Sequence, residues 1–131
     1  ESRNPSAEVV ERLPDIIGGA EIVKLILPVA AQLMGDTGVF YTLIKPQFEA
    51  GPDRVGKKGV VREAKVHQDV LQEIVDFCPT IGWQVQALDY SPIKGPEGNI
   101  EFLGHLTKEK QTGIQPDTAQ LVQQAHDTLK G

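Results

Sequence analysis

Six basic residues crowd into one short stretch of this chain: Lys45, Arg54, Lys57, Lys58, Arg62 and Lys65. Only Glu49, Asp53 and Glu63 oppose them there, so residues 45–65 carry +3 in a chain whose net charge is −5. A basic loop on an acidic body suits an anionic ligand held at one place, and it argues against a protein that coats nucleic acid along its whole surface. The same pattern is also that of a solvated loop whose lysines keep it soluble, and charge alone leaves both readings open. The run Val39-Phe40-Tyr41-Thr42-Leu43-Ile44 leads straight into Lys45. A hydrophobic strand that stops at a charged residue and opens into a glycine-rich basic loop is a common way for α/β proteins to build a site, because ligands sit beyond the carboxyl ends of strands.

Other side chains add little chemistry. The single cysteine, Cys78, excludes an internal disulfide and a cysteine-rich zinc site, and reads as a small buried apolar residue. His67, His105 and His126 have no metal-ligand spacing. Phe48 and Tyr90 flank the loops, where they either stack on a base or pack beneath the loops.

The elements that position the loop follow from periodicity. At 131 residues, with 40% hydrophobic and 24% charged residues, the chain suits one domain with a real core. No apolar run reaches the roughly 20 residues that span a bilayer. No signal-peptide pattern opens the chain, so a soluble protein, cytoplasmic or organellar (plastid-like stroma), is expected. Residues 1–19 read as an irregular N-terminal segment and 20–34 as a densely apolar helix with Pro28 inside it. Val39 to Ile44 reads as a strand covered on both faces. Residues 46–62 are loop. Glu63 to Phe77 is an amphipathic helix with Val66, Val70 and Ile74 on its stripe, ended by Pro79 and Gly82. Trp83 to Leu88 alternates with Trp83, Val85 and Ala87 on one side. A second loop covers 89–99, and Ile100 to Leu106 alternates again. These last two strands have no crossover helix between them and are expected to pair antiparallel. Residues 107–113 are a polar linker, and a helix follows over 116–129. The expected domain plan is an irregular segment (1–19), a partial domain (20–107), and a linker with a C-terminal helix (108–131).

Three stretches now become specific: Lys45-Pro46-Gln47-Phe48-Glu49-Ala50-Gly51, then Val55-Gly56-Lys57-Lys58-Gly59-Val60-Val61-Arg62, then Ser91-Pro92-Ile93-Lys94-Gly95-Pro96-Glu97-Gly98-Asn99-Ile100-Glu101-Phe102-Leu103. Together they resemble the C-terminal half of the TlyA or hemolysin-A-type proteins among the FtsJ-like RNA 2′-O-methyltransferases. The resemblance runs from about Leu25 to Leu106, and Gly56-Lys57-Lys58-Gly59 stands where the family usually has Gly-Lys-Gly-Gly. It implies an α/β fold, the C-terminal half of a Rossmann-like class I methyltransferase, with a mixed sheet and an antiparallel final strand.

The resemblance also implies S-adenosylmethionine as cofactor and a catalytic set of lysine, aspartate, lysine and glutamate. Lys45 matches the second lysine and Glu101 the glutamate. The aspartate position falls on Ile17, with Asp15 two residues away. The first lysine, the glycine-rich cofactor loop and the N-terminal RNA-binding domain have no counterpart here, so no cofactor-binding residue is assigned. On this reading Lys45 is base or hydroxyl-orienting group, Glu101 is its carboxylate partner, and Arg54, Lys57, Lys58 and Arg62 contact RNA. The partners implied are RNA, ribosomal by family, or a protein chain supplying the missing half. The competing expectation is a degenerate, non-catalytic structural or binding subunit of a larger assembly.

Overall fold

The computed structural model describes residues 26–30, 32, 39–108 and 113–129. The expectations for residues 1–19, including Asp15 and Ile17, lie outside the described residues. Three strands form one sheet: β1 (Val39–Ile44), β2 (Gln84–Tyr90) and β3 (Phe102–Thr107). Their order is β1-β3-β2, and both pairings are antiparallel. The expected β2–β3 pairing is therefore present. The expected mixed sheet is not seen among the described residues, because β3 is inserted between β1 and β2 and neither of these bonds directly to the other.

Helices cover one face of this sheet. In α2 (Ala64–Phe77) the stripe Val66, Val70, Leu71, Ile74 and Val75 is buried, each side chain gaining roughly 1.5–3 kcal/mol over exposure. α2 runs into a 3-10 turn, Cys78–Ile81, and stops at Gly82, whose φ of 88° suits glycine. α3 (Thr118–Thr128) starts at Asp117, whose side chain accepts from Gln120 N at 3.0 Å. It buries Leu121, Val122 and Ala125 in the same core as α2, and Thr118 Oγ1 donates to Gln72 Oε1 at 2.9 Å. Trp83 is fully buried and its Nε1–H donates to Leu27 O at 3.1 Å, tying the helical residues 26–30 to the sheet. Its ring lies 5.9 Å from that of Phe40.

Two expectations about strand faces are corrected. β1 is covered on one face only: Phe40, Thr42 and Ile44 are buried, while Tyr41 is 61% exposed and Val39 37%. A continuous apolar run does not say how many sides it buries. In β2 the alternation through Trp83, Val85 and Ala87 breaks at a β-bulge, since Val85 pairs with Leu106 and Ala87 with the adjacent His105. Gln86 is the extra residue, so the strand changes faces there. Leu88 and Tyr90 pack against the core, and Ala87 turns outward. The loop after β1 also holds a short helix, α1 (Pro46–Glu49), which periodicity did not reveal. Proline at its first turn is pre-set for helix, and four residues are too few to show a stripe.

Candidate functional site

The antiparallel ladder brings the two loops together. Ile44 pairs with Phe102 at the end of β1, so Lys45 and Glu101 are the next residues in the same register. Opposed residues in such a ladder lie about 4.5–5.5 Å apart at Cα. Lys45 extends β1 and caps α1 through its backbone, its carbonyl accepting from Phe48 N (2.8 Å) and Glu49 N (3.1 Å). On the other side of β3, Ser91 N donates to Glu101 O at 2.8 Å. Continued one step, this register sets Lys45 and Glu101 side by side at one end of the sheet.

The Glu101 carboxylate is only 5% exposed. Gln47 Nε2 donates to its Oε2 at 2.9 Å. Gly95 closes the other side: a Cβ built there would collide with Glu101 Oε2. Gly95→Ala is therefore expected to displace the carboxylate and to lower stability by about 1–2 kcal/mol. Urea titration against Gly56→Ala checks this, since a Cβ at Gly56 meets nothing closer than Val60 O at 3.1 Å. Equal losses from the two alanines would show that the carboxylate yields freely. Gln47 was not singled out as functional in the sequence, and only its neighbourhood in space reveals its part. Its other amide atom, Oε1, is buried without a partner, an arrangement that costs about 1–3 kcal/mol.

The two glycine loops are copies of one turn. Gly56 (φ −78°, ψ −171°) and Gly95 (φ −80°, ψ −165°) open them in the same conformation. Two left-handed residues follow in each, Lys58 and Gly59 (φ 64° and 69°) in the first and Glu97 and Gly98 (φ 57° and 83°) in the second. The bonds match as well: Gly56 N to Val60 O (2.9 Å) mirrors Gly95 N to Asn99 O (2.7 Å). Gly59 N to Gly56 O (3.3 Å) mirrors Gly98 N to Gly95 O (3.1 Å). The left-handed position filled here by Lys58 costs an ordinary residue roughly 1–2 kcal/mol. Asn99, 2% exposed, fastens the two turns together. Its Oδ1 accepts from Val61 N (3.0 Å), and its Nδ2 donates to Gly59 O (3.0 Å) and Pro96 O (2.9 Å).

The basic side chains divide. Lys57, Lys58 and Arg62 are exposed on or beside the first turn. Arg54 is half-buried and engaged internally: its Nε donates to Ala50 O at 2.7 Å and its Nη1 lies 3.6 Å from Glu73 Oε2. That arrangement ties the loop to α2, so Arg54 is held by the fold and is not displayed with the lysines. Phe48 and Tyr90 are partly buried and packed against the core.

Beside the turns lies a pair that sequence spacing gave no means of finding. His67 Nδ1 is 2.7 Å from His126 Nε2, across 59 residues, and His67 Nε2 is 2.9 Å from Val61 O. A carbonyl only accepts, so His67 carries its proton on Nε2 and His126 donates to its Nδ1. Burial, then the neighbouring His126, lower the pKa of His67 to about 4, and burial lowers that of His126. The pair borders a cavity of about 450 Å³ that Arg62, Lys94 and Glu97 also line. No group of three metal-binding side chains occurs among the described residues. Cys78 is fully buried, and burial pushes its thiol up to about 12, which makes it inert.

The uncovered sheet face is apolar. Tyr41, Leu43, Ala87 and Leu103 line an open hollow of about 470 Å³, and the Tyr41 ring stacks on His105 with centroids 4.6 Å apart. Among the described residues no helix is long and apolar enough to cross a membrane.

A small α/β unit with a three-stranded antiparallel sheet, and a lysine and a glutamate that flank neighbouring strand ends, is the class of protein defined so far. Residues 15–108 match the FtsJ-like methyltransferase family model, and the chain belongs to that family. It is 44% identical over 113 residues to YqxC of Bacillus subtilis, whose name assigns it provisionally to the rRNA methyltransferases, covering 82% of this chain and 40% of that protein. It is 28% identical over 115 residues to the 16S/23S rRNA (cytidine-2′-O)-methyltransferase TlyA of Mycobacterium tuberculosis, covering 76% of this chain and 43% of that one. A solved structure from Streptococcus thermophilus, provisionally named a hemolysin, superposes with a TM-score of 0.76 at 42% identity, covering 82% of this chain and 40% of that one. The chain spans about 40% of the length of these relatives.

Proposed function

We propose that this chain forms the hydroxyl-holding half of an RNA 2′-O-methyltransferase site, in the C-terminal part of a Rossmann-like class I methyltransferase domain. The observation that carries the reading is the pairing of Ile44 with Phe102, which continued by one residue sets Lys45 beside Glu101 just beyond β1 and β3. A ribose hydroxyl is a weak nucleophile and needs a positioned group to take its proton as it reacts. The Glu101 carboxylate, held by Gln47, accepts the hydroxyl's hydrogen bond. Lys45, on the adjacent strand end, orients the hydroxyl or receives its proton. Lys57, Lys58 and Arg62 offer cations to the phosphates of the same strand, and such contacts position RNA without reading its sequence. Arg54 supports this only through the shape of the loop.

S-adenosylmethionine supplies the methyl group in the chemistry this family is built for. The described residues do not form a cradle for it: β1 leads into a four-residue helix and β2 turns directly into the antiparallel β3, so neither enters a long helix through a glycine turn. The residues here act on the acceptor side of the reaction.

A complete enzyme containing this segment tests the reading. Lys45→Ala and Glu101→Ala should each lower methyl transfer to rRNA by about 10²–10⁴-fold while leaving the fold intact. Full transfer by both variants would overturn the assignment. A second reading, a non-catalytic subunit that docks on another folded unit, is favoured by the open apolar face around Tyr41. Calorimetry and the transfer assay separate the two. Micromolar binding of S-adenosylmethionine by this chain excludes the purely structural role, and full methyl transfer by a complete enzyme carrying both Lys45→Ala and Glu101→Ala excludes the enzymatic one.

A further inference from the structure

Gln47 is 8% exposed, and its carboxamide is half used. The Glu101 carboxylate only accepts hydrogen bonds, so it fixes Nε2 on its own side and turns Oε1 away. Oε1 is closed to water, with less than 1 Å² of accessible surface, and has no partner. Gln47 borders a cavity of about 220 Å³ whose walls include Phe48, Lys58, Gly59, Glu97 and Asn99. The Asn99 amide donors are already spent on Gly59 O and Pro96 O. Lys58 and Glu97, exposed at the tips of the two turns, form the outer walls of this cavity. A buried acceptor beside a small cavity calls for a donor brought in by a ligand. Phe48 presents an apolar wall and Lys58 a cation, which together suit one unpaired nucleotide of an anionic strand.

We infer that Gln47 Oε1 accepts a hydrogen bond from the 2′-hydroxyl of a second ribose of the bound strand, making Gln47, alongside Glu101, a residue that tells RNA from DNA at this site. The inference rests on the RNA-binding reading above. Deoxyribose lacks the 2′-hydroxyl donor, and that group is what separates the two nucleic acids at any one position.

The test uses the whole 131-residue chain, with fluorescence anisotropy on hexacytidylate and its deoxy counterpart at one fixed salt concentration. The wild-type chain should bind the ribo-oligonucleotide about tenfold tighter. Gln47→Met, similar in shape and without an amide, should bring the two affinities within about twofold. Equal binding of both by the wild type, or a preference undiminished in Q47M, overturns the inference and leaves RNA binding standing. Binding of neither overturns the RNA reading and the inference together. If Q47M does not fold, the side-chain amide resonances of Gln47 in the wild type decide. They should shift with the ribo-oligonucleotide and not with the deoxy form, and equal responses to both refute the inference.

Discussion

Replacing Asn99 with alanine will lower the stability of this chain by about 3 kcal/mol and loosen both glycine turns at once. One carboxamide makes three hydrogen bonds, to Val61 N, Gly59 O and Pro96 O, at 2.9–3.0 Å. Each such bond contributes about 1 kcal/mol net, and a buried group left unpaired costs more. Val61 is itself buried, so its N–H is the partner least able to find water. Asn99→Asp is the sharper variant. Its carboxylate still accepts from Val61 N–H but faces the Gly59 and Pro96 carbonyls, so near pH 7 it should do no better than alanine. Protonation would restore one donor, so the deficit of N99D relative to the wild type should shrink as the pH falls. Urea unfolding gives the free energies, and hydrogen exchange at Gly59 and Gly98 reports the turns. A loss below about 1 kcal/mol in N99A would mean that each turn holds by itself.

The same residue explains how a basic loop and an acidic loop make one site. Asn99 precedes Glu101 by two residues, and its bonds reach back to Gly59 and Val61. The carboxylate on β3 and the lysines of the first turn are therefore placed by one rigid unit, while the ladder sets Lys45 against Glu101. Mutating the fastening residue should thus disturb both Lys45–Glu101 and the exposed cations of the first turn, the groups proposed to hold the hydroxyl and the phosphates, although Asn99 belongs to neither.

How much of this was legible varies with the kind of signal. The stripe on α2 and the alternation in β3 were readable because one face of each is buried over several repeats. The bulge at Gln86 was not, since it depends on how β2 registers against β3 and nothing in residues 83–90 encodes it. One-sided burial of β1 was hidden because Val39, Tyr41 and Leu43 are as apolar as the residues that face the core. The twin turns did leave a trace, Gly56-Lys57-Lys58-Gly59 against Gly95-Pro96-Glu97-Gly98, with glycines three apart in both. Their shared left-handed positions fall on a lysine and a glutamate, which conceals the likeness. Arg54 read as one more cation of the basic loop, and only its contacts with Ala50 and Glu73 separate it from the lysines.

Acid will weaken this protein between pH 6.5 and 4 in a way that depends on His67. His67 is 1% exposed, bonded to Val61 O through Nε2 and to His126 through Nδ1, and meets the Phe102 ring edge-on with centroids 5.9 Å apart. Lys94 and Asp127 act on His126 from outside, the first lowering and the second raising its pKa. Protonating His67 would set its Nδ1–H against the N–H of His126 and break the contact that helps hold α3 on α2. In the folded chain burial lowers the His67 pKa to about 4, against 6.5 for an unperturbed ring. Between those values the unfolded chain binds more protons, so stability rises with pH there. The contribution is complete above about 6.5 and is lost as the pH falls toward 4. It is on the order of 3 kcal/mol, and the lowered pKa of His126 acts in the same direction. Carboxylates titrate in part of this window, so the comparison is with His67→Gln, in which their contribution recurs and cancels. Urea midpoints at pH 7, 5.5 and 4 should fall more steeply for the wild type than for H67Q, and parallel lines would show that the buried pair bears none of the acid sensitivity.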